Sequence, residues 1–169
     1  MAFITENDNV ISFAEYIDVT ARDQRLFDSN EGLTDDIVED ALIRSTERIL
    51  DRIRSTDWWR DYYSRRDPSI TIKTSADYPA VDASKIKGRA NDFTDLCVYW
   101  ALSDYILPQV ANFGDEADDD RNKMAYYKSK TDELFMEIIR AGDWYDFDDD
   151  DVVDSDEKQP GKINLKRIR

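Results

Sequence analysis

The stretch DDIVEDALIRSTERILDRIR, residues 35–54, decides the fold. Val38, Leu42, Ser45, Ile49 and Ile53 recur at spacings of three and four, and Ile37 and Ala41 widen the stripe. That period belongs to one face of an α-helix. Asp35, Asp36, Glu39 and Asp40 fall in the first turns, where the helix dipole favours acids, and Arg44, Arg48, Arg52 and Arg54 lie off the stripe. Thr34 is the N-cap candidate and Gly32 marks a boundary before it. The expected helix runs from Thr34 or Asp35 to about Arg54.

Two further segments carry the same signature. Ile86, Ala90, Phe93, Cys97, Trp100, Ala101 and Tyr105 predict a second long helix over Ser84–Leu107, ended or kinked by Pro108. Met124, Tyr127, Thr131, Leu134 and Ile138 predict a third over Asp118–Ala141, with Gly142 in the C′ position. On the N-terminal side, residues 1–33 hold short apolar clusters, and Ser12 with Glu15 has capping-box spacing for one short helix. The expected fold is all-α: a small bundle of three long helices plus a short N-terminal helix.

Between the first two helices lies a long loop, residues 64–83, punctuated by Pro68 and Pro79. Its Ile70, Thr71, Ile72, Lys73, Thr74 run alternates and allows a short β segment. A loop of that length inside a compact domain is usually functional. The expected organisation is an N-terminal arm over 1–33, a helical domain over 34–142, and a tail over 143–169.

The tail reverses its charge. Asp143 to Glu157 holds nine acids and no base, and Lys158 to Arg169 holds five bases and no acid. Like charges with little apolar surface predict an extended segment that only a partner chain orders. In the basic half, Ile163, Leu165 and Ile168 alternate with Lys162, Lys166 and Arg167. Such a segment fits a neighbour's sheet edge or acidic groove.

Composition narrows the function. The formal net charge is −15, which repels phosphate backbones and argues against direct nucleic-acid binding. There is no His, which removes the usual general base and every His-containing metal site. The lone Cys97 sits among apolar residues and reads as a small buried hydrophobe. The start, MAFITENDNV, lacks the basic-then-apolar pattern of a signal peptide, and no apolar run has transmembrane length, so synthesis in the cytoplasm is expected. Paired acids such as Asp35/Asp36 and Asp118–Asp120 are explained by helix N-termini rather than by acid–base or two-metal chemistry. No Gly-rich phosphate loop is present, and no enzymatic activity or cofactor is expected.

Two clusters remain as candidate sites. Asp146, Asp148, Asp150, Asp154 and Glu157 match positions 1, 3, 5, 9 and 12 of a calcium loop. Position 6, which calls for Gly, is Asp151, and the KQPGK that follows cannot begin an exiting helix. From sequence, a solvated acidic linker or a strip paired with a partner's bases is the expectation. The second cluster is Trp58, Trp59, Tyr62 and Tyr63 with Arg60, Arg65 and Arg66. Those residue types stack on single-stranded bases or form protein–protein hot spots, and the interface reading is favoured, with Ile70 and Ile72 beside it.

The order of these features resembles the head–tail adaptor (connector) proteins of tailed bacteriophages. The matching pieces are GLTDDIVEDALIRSTERILDRI leading into DWWRDYY, a long loop, the helix RANDFTDLCVYWALSDYILPQV, an acidic turn, the helix AYYKSKTDELFMEII and the closing INLKRIR. The resemblance covers roughly residues 10–169 and is one of architecture. It implies a virion neck protein, assembled in the host cytoplasm. Its subunits would form a ring, expected to be a 12-mer, beneath the portal protein and bridge it to a stopper or tail-completion protein. DNA would pass through the channel without specific binding, and no membrane is involved. It implies portal or partner contacts by Ile163, Leu165, Lys166, Arg167, Ile168 and Arg169, and subunit contacts around residues 64–83. An acidic DNA mimic or regulatory protein-binding module is the alternative.

Overall fold

The computed structural model describes residues 3–6, 9–30, 32–65, 71, 74–111, 119–155 and 157–158. Strands β1 (Ile4–Glu6) and β2 (Asn9–Ser12) form an antiparallel hairpin with a register irregularity between Ile4 and Thr5. Two short helices follow, α1 (Tyr16–Arg22) and α2 (Gln24–Ser29), then the long α3 (Asp35–Arg54) and α4 (Asp57–Arg65). After 3₁₀ turns at Ser75–Asp77 and Ala83–Lys85 come α5 (Ala90–Ala101), a π-helical turn (Leu102–Ile106), α6 (Leu107–Val110) and α7 (Asp119–Ala141). The chain is mainly helical, as expected, with one small two-stranded sheet that the sequence did not announce.

The bundle runs up, down, up. Thr46 and Leu42 of α3 lie against Cys97 of α5, while Ile37 and Ala41 lie near Tyr105 and Gln109. Phe93 near the start of α5 meets Trp144 just past the end of α7, while Pro108 and Met124, at the other ends, line one groove. Each neighbouring pair is therefore antiparallel. The predicted stripe of α3 is its buried face: Val38, Ala41, Leu42, Ser45, Thr46, Ile49 and Ile53. Its two polar members are satisfied. Ser45 Oγ donates to Ala41 O at 2.7 Å, and Thr46 Oγ1 accepts from Phe13 N at 3.1 Å. Thr94 Oγ1 of α5 donates to Phe13 O at 2.8 Å, so two helices hold the chain leaving the hairpin.

Several boundaries differ from the sequence reading, each for a local reason. The short helix α1 is capped by Glu15 with Asp18, whereas Ser12 ends β2 and bonds Ala14. The second long helix begins at Ala90, six residues late, because Arg89 sits at φ 57 and breaks the helical run. Pro108 does not end it. The Leu107 amide reaches back five residues to Leu102 O, and this wider turn relieves the clash a proline ring makes with the carbonyl four residues before. In the loop 64–83 the described residues form 3₁₀ turns and no strand; Ile70 and Ile72 lie outside the described residues. Arg54 donates to Ala76 O and Tyr78 O, and Trp59 Nε1 donates to Pro79 O at 3.1 Å, tying that loop to the bundle.

The largest correction concerns residues 143–158. The acidic run is a folded clasp against the bundle, with Trp144, Tyr145 and Asp146 buried. Its aromatic residues supply the apolar surface that a count of its charges obscures. Among the described residues no helix is long and apolar enough to cross a membrane.

Candidate metal centre

The clasp starts where α7 stops. Gly142 takes φ 58 and returns its amide to Ile138 O, closing the helix as a C′ glycine does. Trp144 Nε1 donates to the same Ile138 carbonyl at 3.0 Å. Lys87 N and Gly88 N both donate to Trp144 O, and Asp146 N donates to Lys85 O, so a short antiparallel bridge joins Ile86 to Tyr145. Gly88 is required there: a Cβ would stand 2.6 Å from Asp143 O and 2.9 Å from Trp144 Cα. Arg89, the residue with positive φ, aims Nε at Asp143 Oδ1, 2.6 Å away.

The aromatic patch closes over this bridge. Trp58 stacks on Trp144, Trp59 meets Tyr145 edge-on, and Tyr62 lies flat on Phe147 at a centroid distance of 3.6 Å. Trp58 and Trp59 are thus buried within their own chain. Tyr62 and Tyr63 are half-buried around Phe147. Burial pushes the Tyr145 phenol far above its ordinary range.

From Asp146 the chain winds into a loop built by carboxylates. Asp146 Oδ1 accepts from Asp149 N at 2.6 Å and Oδ2 from Asp151 N at 2.8 Å. Glu157 Oε1 accepts from Phe147 N at 2.5 Å and Asp148 N at 3.0 Å, while Oε2 accepts from Asp154 N at 3.0 Å. Asp150 Oδ1 accepts from Val152 N at 2.9 Å. Asp149 and Asp151 adopt φ 71 and 69, in the left-handed region. Position 6 of the loop therefore makes the turn without Gly, because Asp tolerates that region better than most residues.

The result is a convergence that sequence reasoning discounted. Carboxylate oxygens of Asp146, Asp148 and Glu157 lie within 4.8 Å of one another. A calcium ion with 2.3–2.6 Å bonds to oxygen spans ligands up to about 5 Å apart, so the three are at the spacing one cation needs. Asp146 and Glu157 are buried and fixed by backbone donors, and Asp148 is exposed. Desolvation, then the charges of Asp150, Glu157 and Asp146, raises the Asp148 carboxyl above its usual range. The nearby bases face elsewhere: Lys85 pairs with Asp149 at 3.4 Å and Lys87 with Asp151 at 2.6 Å. Asp150 and Asp154, the other two predicted positions, do not join the three-carboxylate cluster.

The remaining predicted residues fall beyond reach. Arg65 closes α4 and its side chain is outside the description, as are Arg66, Ile70 and Ile72 and the whole of Ile163, Leu165, Lys166, Arg167, Ile168 and Arg169. What the sequence did not single out is the support: Gly88, Arg89 and Trp144. Only the glycine inside an apparently helical stretch hinted at it, since a lone glycine there often marks close backbone approach. Comparison with protein-family models, curated proteins and solved structures finds no match.

Proposed function

We propose that this chain is a structural head-to-tail adaptor of a tailed-phage neck: a non-catalytic subunit that forms a ring under the portal, extends the DNA channel and bridges to a stopper or tail-completion protein. The observation that carries the reading is the clasp. Residues 143–155, with Glu157 and Lys158, are folded onto the bundle through Trp144, Tyr145 and the carboxylates of Asp146 and Glu157, so the chain is held on the subunit up to the point where its basic segment begins. An adaptor needs that arrangement, a compact body that carries a linking segment. The net charge of −15 supports a channel wall that phosphates slide past. The resemblance in the order of helices, loop and tail supports it as well.

Electron microscopy of the purified chain, alone and mixed with the portal protein encoded beside it, tests the proposal. Closed rings, free or coaxial with the portal, are the expected result. A small particle that never joins a portal at any salt concentration sinks it and favours an acidic DNA mimic or regulatory module.

The juxtaposition of Asp146, Asp148 and Glu157 favours a second reading, compatible with the first. In it the loop holds a divalent cation of the calcium class, which fastens the clasp. The ion's role is structural: neutralising three carboxylates that otherwise repel one another. Calorimetric titration with calcium and magnesium tests it. Saturable heat with calcium, absent from Asp148→Ala, is expected; no heat with either ion rejects the reading.

A further inference from the structure

The two ends of the bundle differ in a way that bears on assembly. The clasp, which precedes residues 159–169, packs against α4, the turn at Lys85–Gly88 and the start of α5. At the opposite end, α3 and the π-turned continuation of α5 enclose a groove of about 350 Å³, lined by Asp36, Ile37, Asp40, Ala41, Arg44 and Tyr105 together with Gln109. Its floor is apolar, from Ile37, Ala41 and Tyr105. Its rim is acidic: Asp36 and Asp40 are exposed and stand beside Asp35 and Glu39, while Arg44 pairs with Asp40 at 3.2 Å. The π turn matters here because Tyr105 belongs to it and lines this groove and the adjoining one.

The segment outside the description has the complementary chemistry. In KINLKRIR, residues 162–169, Ile163 and Leu165 stand two apart, the spacing that would put them on one face of an extended chain, with Lys162, Lys166, Arg167 and Arg169 around them in sequence. We infer that this segment of one copy occupies the α3–π-turn groove of a second copy, with Ile163 and Leu165 on the apolar floor and the bases at the Asp36–Asp40 rim. The inference deepens the adaptor reading and rests on it for its biological setting.

Reach favours a second copy over the same one. Arg89, bonded to the clasp, and Tyr105, in the groove, are separated along α5 by roughly 24 Å at 1.5 Å per residue. Beyond Lys158, an extended chain carries Ile163 about 17 Å and Leu165 about 24 Å at most. The two lengths are comparable, so a contact within one subunit would need nearly the whole segment drawn taut, with little slack to seat Ile163 and Leu165 together. A neighbour removes that constraint. A segment leaving one end and a groove at the other end define a head-to-tail contact, which propagates and closes into a ring when the rotation permits.

The test uses the full chain. Sedimentation velocity across a concentration series at low salt compares wild type, a groove variant (Asp36→Lys with Asp40→Lys), a tail variant (Lys166→Glu with Arg167→Glu) and the chain carrying all four changes. Wild type is expected to self-associate and to weaken as salt rises. Each single-site variant is expected to weaken association at least about tenfold. Mixing the groove variant with the tail variant pairs each tail with the other's groove, one contact in the original charge sense and one reversed, so the mixture is expected to recover the association that neither variant shows alone. The fourfold variant restores the wild-type series, which a merely misfolded groove cannot do. Association unchanged in the groove variant, or a wild type that stays monomeric throughout, overturns the inference. Rings that persist on the portal with the groove variant sink this contact and leave the adaptor reading standing. Head-to-tail association without any ring on the portal does the reverse.

Discussion

Trp144 stacks on Trp58 with ring centroids 4.6 Å apart and planes inclined by 25°. The two come from opposite sides of the loop 64–83 and of two long helices, so a single contact joins the start of α4 to the segment after α7. Phe93 of α5 meets the same Trp144 edge-on at 5.1 Å. The indole is thus the point where α4, α5 and the clasp are fastened together, and its Nε1 is satisfied by Ile138 O. A buried polar tip without that bond would cost more than the stack returns.

Trp144→Ala therefore removes a large, fully buried ring from the centre of the structure. A loss of about 3–5 kcal/mol is expected, in the range for large aromatic truncations in a core. Urea denaturation followed by near-ultraviolet circular dichroism measures it. Val152→Ala is the control, since Val152 is 54% exposed on the same segment, and its change should stay within about 0.5 kcal/mol.

Gly88→Ala tests the bridge rather than the ring. The added methyl meets backbone on both sides, Asp143 O at 2.6 Å and Trp144 Cα at 2.9 Å, and neither can swing away as a flexible side chain would. The clasp must shift outward and give up the two amide bonds to Trp144 O. A destabilisation of about 2 kcal/mol or more is expected, and limited proteolysis should cut between residues 143 and 158 in the variant before it cuts α7.

The helices were legible because their signal is local. The stripe of α3 reads directly as its buried face, and α3 and α7 begin and end within a residue of the positions predicted from their stripes and their Thr34 and Gly142 boundaries. The clasp was not legible, because its stability lies in contacts across long separations: Arg89 with Asp143, Lys87 with Asp151, Trp58 with Trp144. Read alone, nine acids in fifteen residues predict repulsion. In the fold, Asp146 and Glu157 turn inward and are satisfied by five backbone amides, which no property of the run itself reveals. The carboxylate spacing was visible in the sequence, but it was discounted for a KQPGK that cannot begin an exiting helix and for a missing glycine, whose turn Asp151 makes at φ 69.

The three carboxylates divide into frame and ligand, and mutation separates the two roles. Glu157 holds three backbone donors while nearly buried, so Glu157→Ala should cost about 2–3 kcal/mol even without added metal. Asp148 is exposed, and Asp148→Ala should leave metal-free stability within about 1 kcal/mol. Calcium is expected to raise the melting temperature of wild type, to be reversed by a chelator, and to leave Asp148→Ala unmoved. Differential scanning fluorimetry with and without calcium reads all three outcomes. A wild type indifferent to calcium, with Asp148→Ala equally indifferent, rejects the cation reading while leaving the loop's structural account intact.

Cys97 offers a prediction that needs no partner. Its thiol is fully buried between α3 and α5, 3.4 Å from Thr46 Oγ1 and from Leu42 O. Burial pushes its pKa up from 9.0 to about 12, against smaller opposing effects of its hydrogen-bonding neighbours. The folded protein therefore resists alkylation at pH 8, since only the thiolate reacts and the folded state holds very little of it. The stability consequence has a definite sign. A group whose folded pKa lies above its unfolded value keeps its proton in the native state while the unfolded chain gives it up. Stability from this source is intact below pH 9 and declines as pH rises from about 9 toward 12. Cys97→Ala removes the titrating group at the expense of a small cavity. It should be less stable than wild type at pH 7 and should lose less stability between pH 8 and pH 10. Urea midpoints at the three pH values measure this, and parallel slopes for the two proteins would contradict the assignment.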